Sequence, residues 1–412
     1  MNEWTTAQRL LAGPPPAAGP EPLAAHRTRL GALPTGRDRQ GILGTLEASG
    51  LLGRGGASFP VGRKWRSVAE RSAGRAVVLV NGAEGEPLSA KDRVLMAARP
   101  HLVLDGAILA AEAVGAEEIV MYVGSAHVPA LAAMERAVRE RSAEVALPIR
   151  VVAAPDRYVA GEESAAVHFV NDADARPTTV PPRPYERGVG GRPTLVQNVE
   201  SLAHAALIGR FGEAWYRAVG SGDTPGPALV TVNGTHSRDV REIALGTRLA
   251  DLAGGAGGDR DGTQAVLLGG YFGGWLDVAE AWDVALDPTA MRRTGRAFGC
   301  GVIYFLPGHA CGVRTTAGIM QYMAGQSAAQ CGPCVFGLRS VADALQRLAD
   351  GNPAGDDLAR VGRWAGQLAG RGACRHPDGA AGLIHSALRV FGEEFHRHQR
   401  AGSCSLPAVR AA

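Results

Sequence analysis

The chain has 412 residues, of which 46% are hydrophobic and 20% are charged, and its formal net charge is +3. This length and apolar content indicate a folded protein of two or three domains, and the near-neutral charge with scattered arginines argues against a nucleic-acid partner. No stretch is apolar for the length of a membrane span, and Met1–Trp4 do not begin a secretory signal, so we expect a cytoplasmic protein without direct membrane insertion.

The first segment, residues 1–29, is rich in proline and alanine, with Gly13 followed by three prolines. We interpret this composition as a disordered lead-in. A short helical segment between Leu30 and Leu52 follows, and it leads the chain into a glycine-rich loop.

The glycine-rich loop covers residues 53–65 and contains four glycines. Glycines permit turns of positive φ and leave room for a ligand, and successive exposed N–H groups form a concavity that suits a phosphate. Arg54, Arg63 and Lys64 add positive charge, and Phe59 offers a flat apolar face. The third glycine of a dinucleotide fingerprint is missing, and the loop precedes the predicted strand, so a flavin phosphate is favoured. A flexible surface loop is the alternative.

Strand-like and helix-like segments then alternate, which predicts a parallel sheet with helices packed on it. The predicted strands are 76–80, 118–123 and 149–153, and the predicted helices are 101–114 and 130–141.

Acidic loops follow two of the predicted strands. Glu84 and Glu86 come directly after strand 76–80, and the segment Tyr158–Ser164 places a glycine and two acids after strand 149–153. In open α/β sheets the carboxyl ends of strands line the ligand crevice, so these loops are candidate ligand contacts. Ordinary solvated loop residues are the alternative for the two glutamates.

A proline-punctuated loop, 176–192, is long enough to be functional or disordered. Residues 195–201 then open a predicted helix that runs to about Ile208. Its first amides and the side chains of Gln197 and Asn198 are candidates for hydrogen bonds to a ring or a phosphate.

A small α+β module follows. Residues 228–232 and 241–247 flank the turn at Asn233 and Gly234 and read as a β-hairpin, and a short helix near 248–253 and a strand at 264–268 complete the module.

The last hundred or so residues have helical periodicity, and their short connections predict a four-helix arrangement. The predicted helices lie near 314–325, 335–350, 356–369 and 380–398. Cys331 and Cys334 precede the second helix, and Cys374 lies between the third and the fourth. The six cysteines indicate metal or redox chemistry rather than a disulfide framework, but a Cys-x-x-Cys pair alone is compatible with zinc, an iron–sulfur cluster or a dithiol.

In this order, from about Leu51 to Phe395, these features resemble the NADH-binding flavoprotein subunit of respiratory complex I and its equivalents in NAD-reducing hydrogenases and formate dehydrogenases. The segments that carry the resemblance are GLLGRGGASFPVGRKW, VNGAEGEPLSAKDR, YVAGEES, RPTLVQNVESLA, CGPC and GACRHPDGAAGLIHSALRVFGEEF. No single segment is specific, but together they are.

The resemblance implies a multidomain α/β protein in three parts. These are a Rossmann-like FMN-binding domain at 30–222, a small β-grasp (SLBB-like) module at 223–290 and a C-terminal four-helix bundle with an iron–sulfur site at 291–412. In this family NADH gives a hydride to FMN, and electrons leave singly through the cluster. The family's usual companion is a small [2Fe-2S] protein.

The resemblance also implies site residues. It places FMN against Gly53, Arg54, Gly55, Gly56, Lys64, Asn81, Glu84, Gly161, Glu162, Glu163, Val196, Gln197, Asn198 and Ser201. It places the nicotinamide of NAD(H) near Phe59, Glu86 and Glu163, of which the two glutamates are the implied catalytic residues. The protein positions and tunes the flavin, which carries out the redox chemistry.

This chain departs from the family at the cluster. The family motif is Cys-x-x-Cys-x-x-Cys plus a distant fourth cysteine, and here the first position is Ala328, leaving Cys331, Cys334 and Cys374. Alanine cannot bind iron, so we expect a [4Fe-4S] cluster with a missing ligand, a [3Fe-4S] cluster, or no cluster, and favour retention. Cys300, Cys311 and Cys404 are interpreted as ordinary cysteines rather than substitute ligands. The family's acidic residue in the second loop is here Ala83, and its paired asparagines are Gln197 and Asn198.

The nicotinamide side departs further. Where the family has an aromatic after a double proline, with a basic residue just before it, this chain has Arg183, and the basic neighbour is gone; the aromatic shortly after Trp65 is also missing. Arginine can still stack on adenine, but FMN retention is favoured over ordinary NADH affinity. Arg183, Arg187 and Arg192 are alternatively contacts for a phosphate or an acidic electron carrier.

Two functions therefore remain. The first is an electron-transfer flavoprotein that passes electrons between NAD(P)H or a ferredoxin, FMN and an iron–sulfur cluster, and the four retained acids Glu84, Glu86, Glu162 and Glu163 favour it. The second is a non-catalytic assembly or ligand-binding homologue, which Ala328 favours.

Overall fold

The computed structural model describes residues 8–36, 38–234, 237–254 and 258–406. The chain forms two compact units. The first comprises Met1–Val230, Val240–Thr247 and Asp287–Ala290, and the second comprises Thr231–Asp239, Arg248–Leu286 and Met291–Ala412. Residues 223–290 are thus divided between the two units, and the division into three domains stays a prediction.

The first unit contains a parallel four-stranded sheet of order β3-β2-β1-β4. Its strands are β1 (Ala76–Gly82), β2 (Ala116–Gly124), β3 (Ile149–Ala154) and β4 (Thr194–Asn198). Alternate residues of β1 enter two separate hydrophobic clusters, Val78 and Val80 on one face and Val77 and Leu79 on the other. A strand that buries both faces carries a continuous apolar run, which is why β1 was predictable from sequence.

The helices of the first unit are α1 (Leu23–Leu30), α2 (Arg39–Ser49), α3 (Val61–Ser72), α4 (Lys91–Ala98), α5 (Pro100–Val114), α6 (Val128–Arg141), α7 (Glu163–Asp172) and α8 (Val199–Arg217). Residues of α2, α5, α6 and α8 join the cluster on one face of the sheet, and residues of α7 join the cluster on the other. The sheet is therefore covered on both faces, as predicted.

Strand β4 differs from the prediction, which started a helix at Leu195. Leu195, Val196 and Gln197 instead pair with Val78, Leu79 and Val80 of β1, and the helix begins at Val199. A short apolar run has no periodicity that separates a buried strand from a buried helix, so the pairing partner decides. Because β2 and β4 flank β1 on opposite sides, the strand order reverses at β1 and β4.

The lead-in also differs from the prediction of disorder, although residues 1–7 lie outside the described part. Residues 8–29 include a short 3₁₀ helix and most of α1, and Leu10 is fully buried. The Glu242 carboxylate accepts a hydrogen bond from the Leu10 amide at 2.9 Å, and the Arg99 guanidinium donates to three carbonyls of the same segment. These partners are distant in sequence, so the local composition could not reveal them.

Helices α5 and α8 approach each other so closely that a side chain cannot fit at Gly106. A Cβ added there would lie 2.0 Å from the carbonyl oxygen of Leu202. This obstacle is backbone, so α8 itself would have to shift.

We therefore expect Gly106→Ala to lower the free energy of unfolding by about 1–3 kcal/mol, the usual cost of overpacking a core. Gly44→Ala on α2 is the matched control, because nothing lies within 4 Å of the added Cβ; it should stabilise by about 0.5–1 kcal/mol, since alanine loses less backbone entropy than glycine. Urea unfolding of both variants measures the difference, and equal effects would contradict the close α5–α8 contact.

No single helix of the described residues is both long and apolar enough to cross a membrane. Helices α4 and α5 meet that requirement only as a pair, and they are bent by 97° with respect to each other.

The second sheet has five strands in the order β6-β5-β9-β7-β8. They are β5 (Pro227–Asn233), β6 (Arg238–Ala244), β7 (Thr263–Leu268), β8 (Gly274–Asp277) and β9 (Val302–Pro307). The predicted hairpin strands correspond to β5 and β6, which are neighbours, whereas β8 and β9 were not predicted. Strand β9 lies between β5, with which it is parallel, and β7, with which it is antiparallel.

The helices that follow β5 and β6 are α9 (Val278–Ala281), α10 (Pro288–Arg293), α11 (Gly312–Gly325), α12 (Arg339–Ala349), α13 (Asp357–Leu368), α14 (His376–Val390) and α15 (Gly392–Ala401). A turn of π-helix, Pro333–Leu338, precedes α12. The helix predicted at 380–398 is two helices, because the backbone bends at Phe391, where φ is −108° and ψ is 22°. The Phe391 ring packs edge-on against Trp275 at 5.2 Å, which fixes this bend in the core.

Candidate functional site

The candidate site of the first unit lies at the carboxyl edge of its sheet, where the strand order reverses. Asn81 near the end of β1 is directly opposite Asn198 at the end of β4. Such a reversal opens a crevice between the loops that leave the two neighbouring strands, which is where open α/β sheets bind ligands. The structure therefore brings the predicted loops to one place.

The glycine-rich loop is fastened to the start of α8. The Arg54 amide donates to the Ser201 hydroxyl at 2.9 Å, and a Cβ on Gly55 would lie 3.3 Å from the Cβ of Asn198. Gly53 closes the loop through an amide hydrogen bond to the Phe59 carbonyl. The close approach of the loop to Asn198 therefore favours glycine at position 55.

Two backbone donors of this loop are left for a ligand. Within the part of the chain that the structure describes, the amides of Gly55 and Gly56 make no hydrogen bond, and Gly55 is exposed. Gly56 has φ +109°, a conformation that side chains resist. Phe59, nearby in the loop, is 50% exposed. Free amides beside an exposed aromatic ring fit a phosphorylated aromatic ligand.

The Arg54 side chain differs from its predicted role as a positive charge on the loop. Its guanidinium is buried, donates to the Tyr216 hydroxyl at 3.2 Å and to the Pro227 carbonyl at 2.9 Å, and lies 3.6 Å from a carboxylate oxygen of Glu200. The positive charge of Arg54 therefore compensates the buried Glu200 carboxylate and is not exposed on the loop. Lys64, by contrast, is partly exposed, and its ammonium lies 3.1 Å from the Glu163 carboxylate.

Asn81 connects the loop after β1 to the loop after β3. Its amide nitrogen donates to the Gly161 carbonyl at 2.8 Å, and its amide oxygen accepts from Ala83 at 3.3 Å. The next residue after Gly161, Glu162, caps α7 by accepting from the amides of Ser164 and Ala165. Asn81 thereby holds two of the predicted ligand loops in one arrangement.

The four predicted acids divide into two kinds. Glu84 accepts from the Ser89 hydroxyl and from the amides of Asp92 and Arg93, so it orders the start of α4, much as Glu162 orders the start of α7. Glu86 accepts from the nearby Leu88 amide, and both Glu86 and Glu163 also contact side chains from other segments of the unit.

Glu86 accepts from the Tyr158 hydroxyl at 3.1 Å, and Glu163 pairs with Lys64 and lies 3.8 Å from Arg183. Glu163 is about one-third exposed, whereas Glu86 is 9% exposed. Glu163 therefore lies at the mouth of the crevice. Among the described residues it pairs with two cations, Lys64 and Arg183.

The start of α8 is capped from within the fold. The Asn198 side chain accepts from the amides of Glu200 and Ser201. These amides are thus already engaged, contrary to the expectation that they meet a ring or a phosphate. Gln197 accepts from the indole nitrogen of Trp65 at 3.3 Å, and Val196 is buried in the sheet.

A buried charge network lies beneath the crevice, and no motif in the sequence singles it out. The Lys91 ammonium lies 2.7 Å from Asp92 and 2.8 Å from Glu200, and Asn198 donates to Asp92 at 2.7 Å. All three charged residues are less than a tenth exposed. The sequence pointed to this network only indirectly, because Lys91, Asp92 and Glu200 lie inside the family-like segments VNGAEGEPLSAKDR and RPTLVQNVESLA.

Burial and ion pairing oppose each other in this network. Burial raises the pKa of Asp92 to about 7, against the attraction of Lys91. Burial would also raise the pKa of Glu200, but there the attraction of Lys91 prevails and lowers it to about 2. Burial would lower the pKa of Lys91, and the two carboxylates together raise it. Lys91 is therefore charged and compensates both acids.

Three thiols of the second unit form a separate candidate centre. The Cys334 amide donates to the Cys331 carbonyl at 3.2 Å in the turn that precedes α12, and Cys374 comes two residues before α14. Burial and the neighbouring thiols of Cys331 and Cys374 raise the pKa of Cys334 to about 12. A cation bound by these thiols would favour the thiolates instead. The donor set fits an iron–sulfur cluster with three cysteine ligands.

Two protein families match this chain, one over the crevice of the first unit and one over the three thiols of the second. The family described as the Nuo51 FMN-binding domain matches residues 46–206, and the family described as the NADH-ubiquinone oxidoreductase-F iron-sulfur binding region matches residues 314–398. The two matched ranges contain the crevice loops and the three thiols, respectively.

Curated relatives match over most of their length. The chain is 30% identical over 378 residues to the second of the F subunits of NADH-quinone oxidoreductase in Rhizobium meliloti, covering 88% of this chain and 90% of that protein. It is 30% identical over 383 residues to the NADH-quinone oxidoreductase F subunit of Streptomyces coelicolor, covering 90% of this chain and 85% of that protein.

Two solved structures of NAD+-reducing [NiFe]-hydrogenase are similar in fold and sequence. The H2-reduced state has a TM-score of 0.77 and 31% identity over 90% of this chain, and the air-oxidized state has a TM-score of 0.80 and 28% identity over 99% of this chain. This chain spans 63% and 68% of the respective hydrogenase chains.

Proposed function

This chain belongs to the family of NADH-quinone oxidoreductase F subunits, and on that premise we propose that it is an electron-transfer flavoprotein that takes electrons from NADH. It binds FMN at the crevice of the first unit and an iron–sulfur cluster at Cys331, Cys334 and Cys374. The observation that carries this proposal is the convergence of the glycine-rich loop, the loops after β1 and β3, and the start of α8 at one reversal of strand order. Bound there, FMN would supply a hydride acceptor for NADH and would release electrons one at a time.

The residues around the crevice have distinct tasks in this proposal. The amides of Gly55 and Gly56 on the loop and the Lys64 ammonium on α3 bind the flavin phosphate. The two amides make no hydrogen bond among the described residues, and Lys64 is partly exposed beside Glu163. Asn81 holds the loop after β1 against the loop after β3 through its hydrogen bond to the Gly161 carbonyl. Gly53, Val196, Gln197 and Ser201 shape the crevice through backbone and packing rather than through charge.

The nicotinamide of NADH is held near Phe59, Glu86 and Glu163. Phe59 provides an exposed ring, and Glu163 is the accessible carboxylate at the mouth. Arg183 lies 3.8 Å from Glu163 at the position where the family has an aromatic, and its guanidinium plane would stack on the adenine. Glu84 and Glu162 support the site through the helix starts that they order.

The cluster has three cysteine ligands in this chain because Ala328 stands at the first position of the family's four-cysteine motif. It is a [3Fe-4S] cluster, or a [4Fe-4S] cluster with one iron not held by cysteine. The helical region at 291–412 is the bundle that holds it, and residues 223–290 correspond to the β-grasp (SLBB-like) module of the family. The named relatives are subunits, which supports partner subunits here, including a [2Fe-2S] protein; a ferredoxin is the other redox partner compatible with the arginine-rich loop at 176–192.

Visible spectroscopy of anaerobically purified protein tests the proposal. Flavin and iron–sulfur absorption, with flavin bleaching on addition of NADH, are expected. A colourless protein would identify the chain as a non-catalytic homologue, and flavin that bleaches with reduced ferredoxin but not with NADH would replace the proposed donor.

Lys64→Ala is expected to weaken FMN binding by about 10–100-fold, since a hydrogen bond to a charged group contributes about 1.5–3 kcal/mol. Titration of flavin-free protein with FMN, followed by flavin fluorescence, measures the dissociation constant. Arg63→Ala is the matched control, because Arg63 is the neighbouring exposed cation on α3. Full FMN occupancy in Lys64→Ala, or an equal loss in Arg63→Ala, would contradict the assignment of Lys64 to the phosphate.

A further inference from the structure

Four side chains with metal-binding chemistry meet in the second unit, away in sequence from the three cluster cysteines. They are Cys311, directly before α11, Glu394 and His398 on α15, and Cys404, just beyond α15. One ligand atom from each lies within 4.8 Å of the ligand atoms of the others. In the sequence, Cys311 and Cys404 read as ordinary cysteines, and the tertiary structure brings them together.

The donor set is one that zinc prefers. Zinc is bound in proteins by thiolates, imidazole nitrogens and carboxylate oxygens in tetrahedral geometry. At the usual zinc–ligand bond lengths, the donor atoms of such a tetrahedron lie roughly 3.4–3.8 Å apart. The His398 Nε2 atom lies 3.4 Å from the Cys311 sulfur and 3.5 Å from a Glu394 oxygen, which agrees with that spacing.

His398 is oriented as a metal ligand. Its Nδ1 atom lies 2.8 Å from the Leu348 carbonyl oxygen, which can only accept, so Nδ1 carries the proton. When the ring is neutral, the lone pair is on Nε2, which lies next to Cys311 and Glu394. Metal-binding histidines typically donate their second nitrogen to a carbonyl or carboxylate in this way. The side chain of His398 is fully buried, which fixes this orientation.

The fold explains why the four residues meet. Glu394 and His398 are four residues apart on α15 and so share one face of that helix. The helix ends at Gly402, whose φ of 61° turns the chain so that Cys404 comes back toward the same face. Ser405 then donates through its amide and its hydroxyl to the Glu394 carboxylate, at 2.8 and 2.6 Å. These two hydrogen bonds orient Glu394 and hold the neighbouring Cys404 close to it.

We propose that Cys311, Glu394, His398 and Cys404 bind one zinc ion that fastens α15 and the segment after it to the start of α11. Four protein ligands leave no open coordination position, so the ion is structural rather than catalytic. Binding displaces the protons of the two thiols, and the ion exchanges no electrons. The site uses none of the residues assigned to the flavin or the cluster, and it does not depend on the function proposed for them.

Metal analysis of the full chain, purified without chelator, tests the proposal. About one zinc per chain is expected in the wild type. Zinc-edge X-ray absorption is expected to show a shell of two sulfurs and two lighter atoms. Cys404→Ser and Glu394→Ala change partly exposed residues near the end of the described chain, and each is expected to lower zinc content at least tenfold without changing the iron or flavin content.

Cys300→Ser is the matched control, because the Cys300 thiol donates to the Gly269 carbonyl and lies outside the group of four; this variant should keep its zinc. The proposal is overturned if the wild type holds no zinc and takes none up, or holds iron at this site in place of zinc. It is also overturned if the zinc-edge spectrum shows no sulfur ligands, or if Cys404→Ser and Glu394→Ala both retain as much zinc as Cys300→Ser. A Cys311–Cys404 disulfide in peptide maps of the purified protein would also overturn it. Should a variant be insoluble, the absorption spectrum of the wild type decides.

Discussion

Lys91→Met is expected to lower the free energy of unfolding by about 3–5 kcal/mol, because it removes one member of a buried ion pair and leaves the other uncompensated. Lys91 is the direct partner of both Asp92 and Glu200. Arg54 remains 3.6 Å from Glu200, so part of the compensation persists. Urea unfolding followed by tryptophan fluorescence measures the loss. Flavin occupancy should fall as well, since Asp92 also holds Asn198 at the crevice.

Arg66→Met is the matched control for this variant. Arg66 pairs with Glu47, but both side chains are one-third exposed, and exposed ion pairs contribute only about 0–1 kcal/mol. If the two variants were equally destabilised, the network around Lys91 would not be behaving as a buried one.

The loss caused by Lys91→Met should depend on pH. In the wild type, Glu200 has a pKa of about 2, so its contribution to stability is present above the unfolded value near 4.5 and is lost as the pH falls through about 2. Without Lys91, burial favours the protonated acids, whose folded pKa values then exceed the unfolded ones. The variant should therefore lose most stability at neutral and higher pH, and the gap to the wild type should narrow as the pH falls toward about 4. A gap that widens on acidification would contradict this account.

Cys334→Ser is expected to remove the iron–sulfur cluster while leaving flavin in place. Cys334 is buried, and the thiols of Cys331 and Cys374 both raise its pKa. A cluster that already lacks one cysteine ligand is not expected to tolerate the loss of a second. The variant should contain flavin that still bleaches with NADH, but its iron content should fall at least tenfold and its reduction of one-electron acceptors should fall with it. Cys300→Ser should keep its iron. Iron retained in Cys334→Ser would remove this residue from the ligand set.

Ala328→Cys is the complementary gain. Ala328 follows Ser327, whose hydroxyl lowers the pKa of the Cys334 thiol, so a cysteine at 328 is expected near the cluster. If the native cluster is [3Fe-4S], iron should rise from about three to about four per chain, in line with the four-cysteine ligation of [4Fe-4S] clusters. Electron paramagnetic resonance of the oxidised and reduced protein distinguishes the two cluster types. An unchanged iron content near four would mean that the native cluster is already [4Fe-4S].

The parallel sheet of the first unit was predictable because β1, β2 and β3 are short apolar runs separated by helical periodicity. The cluster cysteines were also predictable as a group, since Cys331 and Cys334 share one turn and Cys374 lies at another helix junction. Strands β4 and β9 were not predictable in the same way. Each is identified by the strand with which it pairs, and β9 pairs with β5, some 70 residues earlier in the chain.

The chemistry of the site divides similarly. The sequence places glycines, acids and amides after the strands, and these residues do meet at the crevice. It does not say which of them the fold itself uses. Arg54 is turned into the interior, Glu84 and Glu162 order helix starts, and the buried partners Lys91 and Glu200 have no signature of their own inside segments that are otherwise recognisable.

What the sequence by itself determined was therefore the local chemistry: the loop types, the strands with their own apolar pattern, the cysteine spacing and the family. The tertiary structure decided which polar groups compensate one another and which remain accessible to a ligand. It also decided that Cys311 and Cys404 meet at α15 and that the lead-in is ordered by Glu242 and Arg99. The physical reason is that periodicity and turn chemistry depend on neighbours a few residues away, whereas burial and charge compensation depend on partners that only the folded chain brings together.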